Sequence, residues 1–259
     1  MKILILADIN SFRKLPGSKV SYIQGCLKMF LKYAKRQDLY IQCPIEIKEK
    51  LFKHLGDYQF ICEPLQQGTS AAIGFGVTQI FAQNPKEKVL VAYSDLPVNY
   101  QFNLFYAIDM VQRLNDNLQK VILIGVNPTF PAVEYGYIKI GKVIAEIGST
   151  VAFEMEEFHE KPNETGAKKF CQSWRYLWNT GYLLGTASQI LDIYKKILPE
   201  DYRGLMTIKE ALKSSFEENV VKTIYPTLTK KSIDKAIYEK IHSNGIAVVA
   251  VDLNINSFI

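Results

Sequence analysis

The side chains with the most chemical potential lie in a few short stretches. In "HEKP", Glu160 and Lys161 place opposite charges side by side ahead of Pro162. A carboxylate there would accept hydrogen bonds from sugar hydroxyls, and an ammonium would neutralise a phosphate. Two solvated charges at a turn are the plainer alternative. In "WNTG", Asn179 sits within an apolar run. A strand interior disfavours Asn and a buried amide needs partners, so this amide either binds a ligand or is satisfied by the protein. In "SDLP", Asp95 follows another apolar run. It could hold Mg2+, which takes one or two carboxylates together with substrate phosphates, or it could shape a turn with Leu96-Pro97. "QQGTSAA" opens a helix at Gly68-Thr69-Ser70. Backbone N–H groups and the helix dipole favour an anion at such a start, and Thr and Ser also serve there as ordinary caps.

A further stretch is "LADINSFRKLPGSK", Leu6 to Lys19. It stands where a first strand ends, the place of a phosphate cradle in many nucleotide-binding folds. Arg13, Pro16, Ser18 and Lys19 follow at an organised spacing, yet the turn itself, Asp8 to Phe12, has no glycine.

These residues need elements to position them. "KILILA", "LYIQC", "YQFIC", "KVLVAY" and "KVILIG" are short apolar runs of the kind buried on both faces. Between them, helical periodicity marks the segment from Tyr22, then Ile45–Leu55, Gly68–Phe81 and Asn103–Asn115. Strand-helix alternation with short connections predicts an α/β fold: a mixed, mostly parallel sheet flanked by helices. Ligands then sit outside the carboxyl ends of the strands, where Asp8, Glu63, Gly68 and Asp95 fall. The second half changes style. "YGYIKIGKVIAEI" predicts a hairpin turning near Gly141-Lys142, so a small antiparallel lobe is expected. "VAFEMEEFHEKP" and "YLWNTGYLLG" predict further strands. Helices are expected near 165–173, 187–197, 207–214 and 232–241, and "IAVVAVD" predicts a last strand. One domain over residues 1–259 fits this pattern, with an αβ half at 1–125 and a second half at 126–259.

Bulk properties bound the function. The chain has 259 residues, 48% hydrophobic and 22% charged, with a net charge of +5. The positive charge is spread along the chain, which disfavours a nucleic-acid footprint and suits anionic small substrates. Four scattered cysteines, Cys26, Cys43, Cys62 and Cys171, read as reduced thiols. No apolar run reaches membrane-spanning length, and the start lacks the pattern of a signal peptide. The expectation is a cytoplasmic protein with no membrane partner.

Together, "EPLQQGTSAAI", "KVLVAYSDLPV", "PTFPAVEYGYIKIG", "FHEKPNETGAKKF", "YLWNTGYLLG", "SIDKAIYEKI" and "VVAVD" resemble the sugar-1-phosphate nucleotidyltransferases. Within them the match is to mannose-1-phosphate guanylyltransferases, from about Leu6 to the C-terminus. The resemblance implies a Rossmann-like nucleotidyltransferase domain. It implies attack of a sugar 1-phosphate on the α-phosphorus of a nucleoside triphosphate with Mg2+ assisting, the substrates being mannose 1-phosphate and GTP. It assigns Gly136, Glu160, Lys161 and Asn179 to the sugar phosphate. Leu6, Ala7, Arg13, Glu63, Gly68 and Thr69 fall to the nucleotide and Asp95 to the metal, with Arg13 and Lys161 as catalytic residues.

The chain departs from the family pattern in two places. Asp8, Ile9 and Ser11 replace the loop glycines, and Phe12 takes the place of a Thr. Ser257 stands where the family carries its second metal-binding Asp. Two readings follow: a divergent nucleotidyltransferase, or a non-catalytic homologue that binds a sugar phosphate or nucleotide sugar as a regulatory or partner subunit. Self-association and a partner chain both remain compatible with the sequence.

Overall fold

A computed structural model describes residues 1–95, 101–241 and 245–252. The expected turn at Leu96-Pro97 and the Ser257 position lie outside the described residues. In chain order the elements are β1 (Lys2–Leu6), α1 (Tyr22–Phe30), β2 (Leu39–Pro44), α2 (Ile45–Leu55), β3 (Gln59–Glu63), α3 (Thr69–Gln83), β4 (Lys88–Tyr93), α4 (Gln101–Leu118), β5 (Val121–Val126), β6 (Tyr137–Ile147), β7 (Thr150–His159), α5 (Glu164–Cys171), β8 (Tyr176–Thr186), α6 (Ala187–Ile197), α7 (Pro199–Ala211), α8 (Glu217–Ile224), α9 (Ile233–Ala236) and β9 (Ile246–Ala250). The chain forms two compact units, residues 1–97 with 186–233, and 98–185 with 234–259.

In the first unit β3, β2, β1 and β4 pair in that order, all parallel. Ile3, Leu4 and Ile5 of β1 are fully buried, as a strand covered on both faces requires. The cover includes α3, where Gly76 lets the helix lie close to Leu4 of β1 and Gln42 of β2. α6 and α7 pack on α3. This half matches the expected alternation closely, although α8 has no counterpart among the expected helices.

The second unit is mostly antiparallel. β5 pairs with β9 in parallel and with β8 antiparallel; β7 pairs antiparallel with β9 and β6, and β6 also with β8. The hairpin does not turn at Gly141-Lys142. β6 runs through that pair with a break in register between Ile140 and Val143, and the turn comes at Gly148-Ser149. Gly141-Lys142 marks an irregularity in the strand instead: bulges and turns both use glycine, and only the partner strand tells them apart. The helix expected at 232–241 is also corrected. It is the short α9 followed by a 3-10 turn, Tyr238–Lys240. Ile233, Ala236, Ile237, Tyr238 and Ile241 are all buried. Four of the five keep the i, i+3, i+4, i+8 spacing of one helix stripe; Tyr238 lies off it, and Ile237 leaves helical geometry at φ −122° and ψ −60° just before it. Among the described residues no helix is long and apolar enough to cross a membrane.

Candidate functional site

In the first unit the four parallel strands end around a cavity of about 270 Å3. Leu6 and Ala7 line it from the end of β1, Pro44 from β2, Glu63 from β3, and Tyr93 to Asp95 from β4; Gly68 and Thr69 add the start of α3. Six of the residues assigned by resemblance to nucleotide or metal therefore line one cavity. Arg13 does not line it. It is exposed, and its charge lowers the Asp95 carboxyl pKa.

The opening loop is a closed structure. Ile9–Phe12 forms a 3-10 turn capped by Asp8, with Ser11 completing a capping box. The amide of Asn10 donates to Asp8 Oδ1 at 2.8 Å, that of Asp8 to Ser11 Oγ at 2.8 Å, and that of Arg13 to the Asn10 carbonyl at 2.9 Å. Ser11 Oγ also lies 2.6 Å from Ser94 Oγ, pinning the turn to the end of β4. A phosphate cradle needs amides aimed outward from a glycine-rich turn; here the amides named are spent inside the turn.

The start of α3 is likewise used by the protein. Gly68 has φ +103°, and a Cβ there would sit 2.7 Å from the Lys231 carbonyl oxygen. Ser70 N donates to that carbonyl, and Thr69 Oγ1 accepts from Ile233 N at 2.9 Å. The close approach of residues 231–233, over a left-handed backbone, explains the glycine.

Glu63 is buried, and Tyr225 donates a short hydrogen bond to its Oε2. Burial raises its carboxyl pKa, partly offset by Tyr225. The Asp95 carboxyl is raised too, mainly by desolvation; its own backbone contact lowers it in part, and the Asp8 charge raises it further. Among the described residues no group of three or more His, Cys, Asp or Glu could hold a metal. Asp95 lines the cavity as a carboxylate of the kind Mg2+ takes alongside substrate phosphates, whereas both Asp8 carboxylate oxygens already accept hydrogen bonds from Asn10.

The second unit gathers a polar cluster around β8. Its pairing with β5 is irregular between Leu123 and Gly125. At that bulge Thr180 Oγ1 donates to the Ile124 carbonyl at 2.6 Å. The bulge is why an Asn stands in an apolar strand: Asn179 Oδ1 accepts from Gly181 N at 3.0 Å, and Asn179 N donates to the Gly136 carbonyl at 2.8 Å. Gly136 in turn presses on Phe158 and Glu160; a Cβ there would lie 2.6 Å from Phe158 Cζ and 3.1 Å from Glu160 Oε2. Lys161 Nζ lies 3.3 Å from Glu160 Oε1, the lysine exposed and the glutamate nearly buried. Gly136, Glu160, Lys161 and Asn179 thus stand in one chain of contacts.

Asp234 joins them, and sequence reasoning gave it no role. Asn179 Nδ2 donates to its Oδ1 at 3.1 Å. Burial, then the Glu160 charge, push its carboxyl up to about 6. The signal that could have found it is the carboxylate in "SIDKAIYEK", at the start of a short helix amid apolar residues. Glu239, from the same stretch, accepts from Glu160 N at 3.2 Å. The cluster can accept hydroxyl protons at Glu160 and Asp234, donate from the second Asn179 amide hydrogen, and neutralise an anion with Lys161.

Residues 19–224 match the model of the Nucleotidyl transferase family. The chain belongs to this family. Two relatives, both mannose-1-phosphate guanylyltransferases, show the extent of the likeness. One from Salmonella montevideo is 29% identical over 210 residues, covering 80% of this chain and 43% of the relative. One from Escherichia coli is 25% identical over 280 residues, covering 97% and 58%. The chain thus spans about half the length of these relatives. A crystal structure of mannose-1-phosphate geranyltransferase from Thermus thermophilus superposes with a TM-score of 0.79 at 22% identity, over 96% of this chain and 73% of that one. One of mannose-6-phosphate isomerase from Helicobacter pylori gives 0.77 at 21%, over 97% of each. Both likenesses show the nucleotidyltransferase-type fold, an α/β architecture with mixed sheet and flanking helices.

Proposed function

We propose that the chain is a sugar-1-phosphate nucleotidyltransferase using mannose 1-phosphate and GTP, acting in the cytoplasm. The cavity of the first unit takes the nucleotide, and the Gly136, Glu160, Asn179 and Asp234 cluster of the second takes the sugar. A sugar 1-phosphate oxygen forms a bond to the α-phosphorus, the bond from that phosphorus to the β-bridging oxygen breaks, and pyrophosphate leaves with the electron pair. Such a reaction needs positioning and charge neutralisation rather than a protein nucleophile. Lys161 holds the sugar phosphate, Glu160 and Asp234 orient its hydroxyls, and Asp95 would hold Mg2+. When bound, that ion neutralises phosphate charge. The observation that carries the reading is the convergence of the four family-assigned sugar residues on one contact chain.

One observation favours a second reading, a binding protein without turnover. The Asp8, Asn10, Ser11 and Arg13 amides are satisfied within the turn, and Asp8 adds a negative charge to the cavity wall. Incubation with mannose 1-phosphate, GTP and Mg2+, with products resolved by anion exchange, separates the two. Equal amounts of GDP-mannose and pyrophosphate are expected. Their absence, from folded protein that binds both substrates by calorimetry, moves the assignment to the binding protein.

A further inference from the structure

Gln42 is a buried polar residue of the first unit. It sits on β2 between β1 and β3, where its carbonyl accepts from Ala7 N at 2.8 Å. Its side chain is 1% exposed and lines the cavity, and neither Nε2 nor Oε1 has a hydrogen-bond partner. A buried amide left unpaired costs stability, and an apolar residue of the same size would pack there without that cost. The fold also makes room for this amide. A Cβ on Gly76 of α3 would sit 2.7 Å from Gln42 Oε1, so the facing helix leaves open the space that the amide occupies.

Register places Gln42 beside Glu63. Gln42 pairs with Ile61 and Pro44 with Glu63, so Gln42 and Glu63 are diagonal neighbours on one face of the sheet. The Gln42 amide lies close enough to help hold the Glu63 carboxyl down, without a hydrogen bond of good geometry. Tyr225 fixes the other side of that carboxyl. The last torsion of a glutamine is broad, so a small rotation presents the amide to a ligand pressed onto the cavity floor.

We infer that Gln42 is a specificity-determining residue that reads the edge of the nucleobase, its Nε2 donating to a ring carbonyl while Glu63 accepts the adjoining ring N–H groups. This rests on the proposal that the cavity holds a nucleotide. A carbonyl acceptor followed by two donors is the edge of guanine: O6, N1–H and the N2 amino group. Uracil and thymine would set a carbonyl against the Glu63 carboxylate, and adenine offers no carbonyl to Nε2.

The test is calorimetric binding of GTP, ATP and UTP to the whole chain, for wild type, Gln42→Met and Gln42→Leu, with thermal midpoints recorded alongside. The expected result is a wild-type preference for GTP that falls about tenfold in both variants, with midpoints equal to or above wild type. Variants that keep the wild-type preference overturn the inference, as does failure of both to fold, which would make Gln42 a structural residue. Wild-type protein that binds all three nucleotides equally overturns it while leaving the nucleotide cavity standing. Wild-type protein that binds none of them removes both.

Discussion

Asn179 Nδ2 donates to Asp234 Oδ1 at 3.1 Å, joining the bulge of β8 to a carboxylate 55 residues further along the chain. The bond makes Asn179 both a structural and a ligand-facing amide: Oδ1 is committed to Gly181, and one Nδ2 hydrogen remains to be given.

Asp234 carries a pH signature. Burial and the Glu160 charge raise its carboxyl from 3.8 to about 6. Between those values the folded chain holds a proton that the unfolded chain has released, so stability falls as pH rises from about 4 to about 6 and is level above. Asp234→Asn keeps an acceptor for Asn179 and has no such step. Urea denaturation from pH 4 to 7.5 should show the variant gaining on wild type by at most about 3 kcal/mol. A constant difference across that range would show that Asp234 is not perturbed.

Lys161 is the exposed cation of the sugar cluster. An exposed pair with Glu160 contributes little to folding, so Lys161→Ala should leave stability within about 0.5 kcal/mol. A lost ammonium–phosphate contact should weaken mannose 1-phosphate binding roughly tenfold to a hundredfold. Calorimetry on wild type and variant measures the difference; unchanged affinity would remove Lys161 from the site.

Gly136 is held by close approach. Gly136→Ala would push a methyl into the Phe158 ring and the Glu160 carboxyl. Overpacking of this kind costs about 1–3 kcal/mol, and displacement of Glu160 should weaken sugar binding as well. A variant with wild-type denaturation midpoint and sugar affinity would contradict the packing described.

Asp8 tests the opening loop. Asn caps a helical turn as well as Asp, so Asp8→Asn should keep the turn and its stability. It removes a negative charge from the cavity wall, and metal-free GTP should bind several-fold tighter. Equal affinity in titrations without Mg2+ would place the triphosphate away from Asp8.

Much of this fold was legible in the sequence because it is local. The apolar runs of β1 to β5 and the helical stripes between them state their own identity. What escaped depends on distant partners. Gly141-Lys142 looks like a turn until Phe153 and Met155 of β7 are set against their neighbours on β6. The segment at 232–241 has a helical composition, but Tyr238 is buried off the stripe that the other four apolar residues share, and helical geometry is lost at Ile237. At the site, Asn179 was visible as a polar residue in an apolar run, and Glu160 and Lys161 as opposite charges side by side at a strand end. Asp234 and Gln42 were not, since one lies in an ordinary helix start and the other in an ordinary strand, and only burial beside a cavity or a second amide gives them meaning. The loop from Leu6 to Lys19 was legible as a glycine-free variant of a phosphate cradle, while its internal hydrogen bonds needed coordinates.

The most direct test of the account is pyrophosphate release from mannose 1-phosphate, Mg2+ and each nucleoside triphosphate in turn, run with wild type, Lys161→Ala and Asp95→Ala. Release with GTP that both variants abolish is the predicted result. Folded protein that binds mannose 1-phosphate and GTP yet releases no pyrophosphate with any nucleotide would contradict the enzyme and leave a binding protein in its place.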